Sequence, residues 1–358
     1  MLISSLQRNG DYNYMLSQSL AVIGGFIVAI IVSFIDYEKF MKYWWAFAIT
    51  AFGLALMVFL FGIQVAGTDD TAWISLPGGL TVQPSEFIKI CFLITFTKHI
   101  TYLKEQDKIK SFLGVMSLFI HALVRMGIIH LQGDDGTVLI FAMIFLVVTF
   151  MAGVHIGYFI TLGIVVVLSA PIIWNVVLNN EHRNRIMALF DLDGNALSNY
   201  GWQQYQGKVS IASGGLTGNG YYNGQRVELD IVPEQQNDFI FTVAGEELGF
   251  IGCLLILVIL FAICLRIMMN ASKSNEYSGK ILCYGVFAMI ASQTIINLGM
   301  VLGFIPVVGI TLPFFSAGGS SVMSMLICIG IVQSVVRYNV FEPDKIKVKI
   351  GRKDRIKI

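Results

Sequence analysis

Apolar residues in this chain fall in long unbroken runs separated by polar stretches. Nine such runs stand at about 14–35, 41–63, 86–104, 112–131, 136–154, 156–176, 248–269, 280–302 and 318–337. Each is near the ~20 residues that a helix needs to cross ~30 Å of hydrocarbon. Barrel strands would instead alternate apolar and polar residues over segments of about ten. The pattern predicts an all-α polytopic membrane protein of about nine transmembrane helices. One polar stretch is much longer than the others. Residues 177–247 carry Gly201, Gly207, Gly214, Gly215, Gly218, Gly220 and Gly224, together with charged residues and many amides. A long loop in a compact protein is usually functional or disordered. Trp202, Tyr205, Val209, Ile211, Tyr221, Tyr222 and Phe239 predict an ordered loop resting on the membrane face.

Composition sharpens this reading. Of 358 residues, 56% are hydrophobic and only 13% charged, about half the charge of a soluble domain. That excludes an ordinary soluble enzyme and a disordered chain. With 24 Lys and Arg against 23 Asp and Glu, no basic face for nucleic acid is expected. The five cysteines, Cys91, Cys253, Cys264, Cys283 and Cys328, lie in or at the ends of apolar runs without a CxxC pair. They read as buried thiols rather than a disulfide framework or a zinc site. Polar residues (Gln7, Arg8, Asn9, Asp11) precede the first long apolar run, so no cleavable signal peptide is expected.

Orientation follows from Lys and Arg. With the C-terminus cytoplasmic, the inside loops hold Lys39, Lys42, Lys98, Lys104, Lys108, Lys110, Arg266, Lys273 and Lys280, and the tail adds Arg337 and the cluster at 345–357. These are most of the basic residues. The long loop then faces outward and, with nine spans, so does the N-terminus. The tail, 339–358, reads as a membrane-surface anchor or topology signal.

Ionisable groups at membrane depth are expensive and are functional candidates. In Gln83-Pro84-Ser85-Glu86-Phe87-Ile88-Lys89, Pro84 and Ser85 start a helix. Glu86 falls in its first turn, where the helix dipole favours an anion. Glu86 and Lys89 share a face at i,i+3 and could pair; a structural ion pair is the plainer alternative. His121 and Arg125 share a face of an apolar helix, and Asp134 and Asp135 lie in the outside turn that follows. An aspartate could neutralise Arg125 through tertiary contact, or could simply cap a helix. Arg183 and Arg185 open the long loop and are suited to phosphate oxygens, or are interfacial arginines. Asp238 stands where the loop meets apolar sequence, placed to act as a general base or as a helix cap. Glu246 and Glu247 after it read as interfacial anchors. Residues 303–321 are apolar yet rich in Pro and Gly, which predicts a broken or re-entrant segment against protein or a wet cavity.

Four blocks resemble the SEDS family, the bacterial shape, elongation, division and sporulation proteins (RodA, FtsW and sporulation relatives). They are QPSEFIKI at 83–90, GDDGT at 133–137, the stretch from IASGGLTGNG to VPEQQNDFIFTVAGEELGFIG at 211–252, and NLGMVLGFIPVVGITLPFFSAGGSS at 297–321. The resemblance implies one transmembrane domain over 1–338 and a peptidoglycan glycosyltransferase of the cytoplasmic membrane. Such proteins polymerise lipid II at the outer face and work with a class B penicillin-binding protein. It further implies that Asp238 is the family's essential acid, and that Glu86, Lys89, Asp134, Arg183 and Arg185 match its other functional positions. The family has ten spans with both ends inside, so the nine runs here are expected to lack its first span, through a truncated or mis-assigned start or as a nine-span variant. Asn237 and Ala317 replace a common Thr and a common Tyr.

Residue chemistry and resemblance then agree on one expectation. Asp238 would deprotonate the acceptor hydroxyl. Arg183, Arg185 and either Lys89 or Arg125 would steady the departing polyprenyl diphosphate. The residues single out no certain cofactor; a divalent cation, magnesium or manganese, would suit the diphosphate, though no ligand cluster demands one. Two other readings stay open: a lipid II flippase using the intramembrane charges, and a non-catalytic scaffold for elongation or division partners. The short tails lean toward the rod-elongation type.

Overall fold

The computed structural model describes residues 12–64, 71–76, 80–190 and 201–340. The cluster at 345–357 and the opening polar residues lie outside the described residues. Helices account for nearly all regular structure: α1 (Tyr12–Phe34), α2 (Tyr37–Lys42), α3 (Trp44–Phe61), α4 (Pro84–Glu105), α5 (Phe112–His130), α6 (Asp135–Met151), α7 (Ile156–Ile172), α8 (Asn180–Met187), α9 (Trp202–Ser213), α10 (Gln225–Glu228), α11 (Ile240–Lys273), α12 (Tyr277–Val301) and α13 (Gly319–Val340). A small antiparallel hairpin, β1 (Ile74–Leu76) with β2 (Leu80–Val82), precedes α4 and pairs Ile74 with Val82. The apolar pattern gave no hint of it.

Each predicted span falls on one of these helices. Among the described residues seven are long and apolar enough to cross a membrane: α1, α3, α5, α7 with the π-helical turn that extends it, α11, α12 and α13. Helix α6 is apolar but shorter. Helix α4 has the length but carries Glu86, Lys89 and Lys98. Apolar side chains cover the outside of these helices; Leu60, Phe61, Leu168 and Phe261 are all well exposed. Such a surface is stable only in lipid, and the protein is a multi-pass membrane protein.

Two compact units divide the chain. One comprises Met1–Leu20, His155–Ala262 and Ala291–Val322; the other comprises Ala21–Val154, Ile263–Ile290 and Met323–Ile358. In the second unit α4 is central, with α2, α3, α5 and α6 packed against it. Its core is aromatic: Phe92 stacks on Phe96 at 4.9 Å and meets Phe141 edge-on at 5.0 Å. Small residues allow close helix approach in that unit, as at Gly330, where a Cβ would lie 2.6 Å from the Ala29 carbonyl oxygen.

In the first unit the long polar stretch is largely folded. It forms α8, α9 and α10, and its last residues already belong to α11. The apolar pattern puts the start of that helix near 248, whereas the structure starts it at Ile240. The reason is a break at Gly249, whose φ of 66° and ψ of −166° are not helical. The glycine-rich loop 214–220 fills the break. Phe250 and Ile251 N–H donate to Gly215 and Leu216 carbonyls, and Asn219 and Gly220 N–H donate to Glu246 and Glu247 carbonyls, all at 2.9–3.1 Å. A Cβ at Gly249 would sit 2.3 Å from the Gly218 nitrogen. Position 249 therefore needs glycine for its dihedral angles and for the space beside it.

Gly249→Ala should cost about 2 kcal/mol or more. Gly163→Ala, on the open face of α7 where a Cβ meets nothing within 4 Å, should change stability by less than about 1 kcal/mol. Thermal unfolding of both variants in detergent checks the difference; equal effects would sink the account of the break.

Candidate functional site

In the first unit, Asp238 lies in the turn 233–239 that leads into α11. The turn is closed by Glu234: Asn237 and Phe239 N–H donate to its carbonyl at 3.0 and 3.2 Å, and Asn237 Nδ2 donates to its carboxylate at 2.6 Å. Its anchors are buried. Phe239 is packed inside the unit, and Gln235 Nε2 donates to Val227 O and Asp230 Oδ1. With both sides held, Asp238 is left half-buried at the surface of the unit. Its backbone carbonyl accepts from Asn297 Nδ2 at 2.7 Å, which fixes the turn to α12.

The chain that leaves α12 passes beside this turn. Residues 302–318 contain no helix, as the Pro and Gly content predicts. Polar side chains hold this irregular backbone. Gln204 Nε2 donates to Met300 O and Ile305 O at 2.8 and 2.7 Å. Asn297 Nδ2 also donates to Ile310 O at 2.6 Å. Ser316 Oγ accepts from Leu312 N–H at 2.7 Å. Gln18 Oε1 accepts from Gly318 N–H at 3.1 Å, and the Gln236 carbonyl accepts from Ala317 N–H at 2.8 Å. Asp238 Oδ2 lies 3.5 Å from where a Cβ of Gly309 would stand. Two residues earlier, the Val307 carbonyl accepts from Arg185 Nη1 at 3.2 Å. Arg183 Nη2 donates to the Asn175 carbonyl at 3.0 Å, and its Nε is buried without a hydrogen-bond partner. Arg185 and Asp238 thus border one short segment, and each arginine spends a single nitrogen on backbone.

Beneath α9, Arg226 is consumed internally. Its Nε donates to Ser210 Oγ at 2.8 Å, and a short hydrogen bond joins its Nη2 to Gln206 Oε1. Glu246 Oε1 accepts from Arg226 N–H at 2.8 Å. Glu246 and Glu247 are almost wholly buried, at 1% exposure each. They close the loop 214–228 onto α11 instead of anchoring an interface, which corrects the expectation for them.

The second unit contains the other predicted group. Pro84 begins α4 and Glu86 sits in its first turn. Lys89 Nζ meets Glu86 Oε1 at 2.8 Å, and Ser324 Oγ donates to Glu86 Oε2 at 2.7 Å. Lys89 is fully buried and Glu86 is 4% exposed. The adjoining Asp134 caps α6, its Oδ1 accepting from Thr137 N–H at 3.0 Å. Its Oδ2 accepts from Ser85 Oγ and Gln83 Nε2 at 2.8 and 2.9 Å. Asp134 therefore clamps the start of α4 to the start of α6. Asp135 contacts His130 at 2.5 Å.

Neither aspartate neutralises Arg125. Among the described residues no carboxylate pairs with it, because the oxygens of Asp134 serve the two helix starts. Arg125 is half-buried, five residues from the end of α5 that the charge pattern places outside, within reach of a headgroup layer by snorkelling. One turn earlier, His121 meets a residue that the sequence reading passed over. His99 and His121 approach at 3.1 Å between their Nδ1 atoms, with Ser117 Oγ against His99 and Thr95 Oγ1 against His121. All five cysteines are free thiols.

Comparison with known proteins agrees with this architecture. A family described as cell cycle protein (FtsW, RodA, SpoVE) matches residues 1–340. The chain is 30% identical over 335 residues to a probable peptidoglycan glycosyltransferase FtsW of Geobacter sulfurreducens, covering 93% of this chain and 88% of that one. It is 33% identical over 331 residues to stage V sporulation protein E of Bacillus subtilis, covering 88% and 84%. To the peptidoglycan glycosyltransferase MrdB of Escherichia coli it is 30% identical over 318 residues, covering 87% and 82%. Among solved structures it resembles a chain of a peptidoglycan synthase complex that coordinates polymerization and crosslinking, with a TM-score of 0.80, 25% identity and coverage of 95% and 94%. It also shares the fold of the rod shape determining protein RodA of Thermus thermophilus, with a TM-score of 0.66, 24% identity and coverage of 95% and 92%.

The buried pair gives a direct test. Glu86→Gln or Lys89→Met alone should cost about 3–5 kcal/mol, because each leaves a charge buried and unpaired. The double variant should cost at least about 1 kcal/mol less than the sum. A double-mutant cycle on unfolding in detergent reads this coupling, and additive losses would show that the two side chains do not act as a pair.

Proposed function

This chain belongs to the FtsW, RodA and SpoVE family of cell cycle proteins, and from that membership and the site around Asp238 we propose how it works. It is a peptidoglycan glycosyltransferase that polymerises lipid II at the outer face of the cytoplasmic membrane, in cell elongation or division. The relatives named as peptidoglycan glycosyltransferases support the reaction class. The observation that carries the assignment is Asp238 itself. It is a half-buried carboxylate on a pinned turn, two residues along one segment from an arginine with guanidinium nitrogens to spare.

The steps follow from that geometry. Asp238 takes the proton of the acceptor sugar hydroxyl as its oxygen forms a bond to the donor's anomeric carbon. The bond from that carbon to the diphosphate oxygen breaks, and its electron pair leaves with the polyprenyl diphosphate. Arg185 and Arg183 hold the charge that develops there. Fixed cations in a site of reduced water content do this better than solvent, because they need no reorganisation. Among the described residues no three His, Cys, Asp or Glu side chains converge on one point. A magnesium or manganese ion would take most of its oxygens from the diphosphate itself. Glu86, Lys89 and Asp134 fix the starts of α4 and α6 within the second unit. Arg125 serves lipid phosphate at the outer surface. The charge pattern supports a cytoplasmic C-terminus and an outward 177–247 loop. The likeness to a chain of a peptidoglycan synthase complex supports a class B penicillin-binding protein as partner.

Polymerisation of labelled lipid II by the purified protein with its penicillin-binding partner tests this. Asp238→Asn should fold normally and lower the rate by about a hundred- to ten-thousand-fold, the usual worth of a general base. Full-length glycan ladders from a folded Asp238→Asn protein would remove Asp238 from catalysis. Transbilayer movement of lipid II without ladders from the wild type would favour the flippase reading.

A further inference from the structure

Helix α9 turns a second residue toward the segment that follows α12. Gln204 ties that segment down through Met300 O and Ile305 O. Lys208 follows one turn later on the same helix face. Its Nζ lies 3.1 Å from the position that a Cβ of Gly303 would occupy, and Gly303 has a φ of 80°. The ammonium therefore rests over bare backbone in a place that only glycine leaves open. Lys208 is exposed, and among the described residues no carboxylate pairs with it.

The segment 303–309 then carries three chemically distinct groups in order along its length. Lys208 stands at Gly303, Arg185 at Val307 and Asp238 at Gly309. A segment of that length spans at most roughly 20 Å. In a displacement at the anomeric carbon the base works on the incoming hydroxyl, and the leaving group departs on the opposite side. Cations that hold the leaving diphosphate must therefore be set away from the base along the reaction axis. Along the segment Lys208 meets Gly303, six residues from the Gly309 that borders Asp238, with Arg185 at Val307 between them. A lysine ammonium is also a compact point charge suited to a phosphate oxygen.

We propose that Lys208 is a diphosphate-binding residue of this site, contacting the polyprenyl diphosphate of the donor on the far side of Arg185 from Asp238. This rests on the glycosyltransferase reading above. The shared chemistry is a phosphate anion, and a bulk phospholipid headgroup is the competing source.

The test uses the full chain with its penicillin-binding partner in nanodiscs of neutral phosphatidylcholine and, separately, of anionic phosphatidylglycerol. Wild type, Lys208→Ala, Lys208→Arg and Asp238→Asn are compared for lipid II polymerisation and for direct binding of undecaprenyl diphosphate. Lys208→Ala should bind the diphosphate about tenfold or more weakly, the worth of one charge-assisted hydrogen bond. It should raise KM for lipid II in both lipids, and Lys208→Arg should recover most of the loss. Asp238→Asn should lose turnover while keeping the diphosphate affinity. Unchanged affinity in Lys208→Ala overturns the proposal, and a loss confined to anionic nanodiscs overturns it in favour of headgroup binding. The binding arm reads Lys208 even where no glycan forms, so failure of the glycosyltransferase reading is seen separately.

Discussion

Backbone that leaves the helix away from bulk water must still satisfy its N–H and C=O groups. The first unit depends on how it meets that demand. Residues 302–318 are irregular, and buried amide side chains carry their hydrogen bonds. Gln204 and Asn297 each donate to two carbonyls, and Gln18 receives the Gly318 N–H. Asn297 joins the two halves of the arrangement, because the carbonyls it bridges belong to Asp238 and Ile310. The position of the Asp238 turn is therefore set by the same amide that sets the irregular segment. An unmet carbonyl at this depth would cost on the order of 1–3 kcal/mol, which makes the arrangement rigid as well as specific.

The second unit solves a different problem with charges. Glu86 and Lys89 neutralise each other one turn apart inside a packed helix, and Ser324 takes the remaining carboxylate oxygen. A buried pair seldom adds stability over apolar replacements. What it adds here is register, since Glu86, Lys89 and Ser324 fit together in only one alignment of α4 with α13. Asp134 has a comparable part at the ends of α4 and α6, where its two oxygens serve two helix starts.

Much of this was legible in the chain. Long apolar runs located the helices, and the i,i+3 spacing of Glu86 and Lys89 foretold their contact. The boundary between polar and apolar sequence at Asp238 marked the turn. What the sequence hid were partners far away along the chain. Ser324, Gln18 and Asn297 look like incidental polar residues in apolar runs, and nothing local says which backbone group each will meet. His99 was passed over because its partner, His121, lies on the next helix. The start of α11 differs because Gly249 breaks the helix, and the turns before it, which include Glu246 and Glu247, lie outside the long apolar run that marks the part after it. Nothing local to Lys208 says that its ammonium meets Gly303, 95 residues further along the chain.

The break at Gly249 also sets an order of events during synthesis. The loop 214–220 closes one turn on itself, Gly218 N–H donating to the Gly214 carbonyl, but four of its backbone hydrogen bonds are completed only by residues 246–251. Those residues leave the ribosome later, by roughly one to six seconds at ordinary rates of elongation. In that interval the four hydrogen bonds between the glycine-rich stretch and residues 246–251 are unmade. Its ordering comes with the arrival of the helix that receives it, so maturation of the loop is coupled to insertion of α11. A pause or defect in inserting that one helix would leave the loop exposed to proteases before the site beside it had formed.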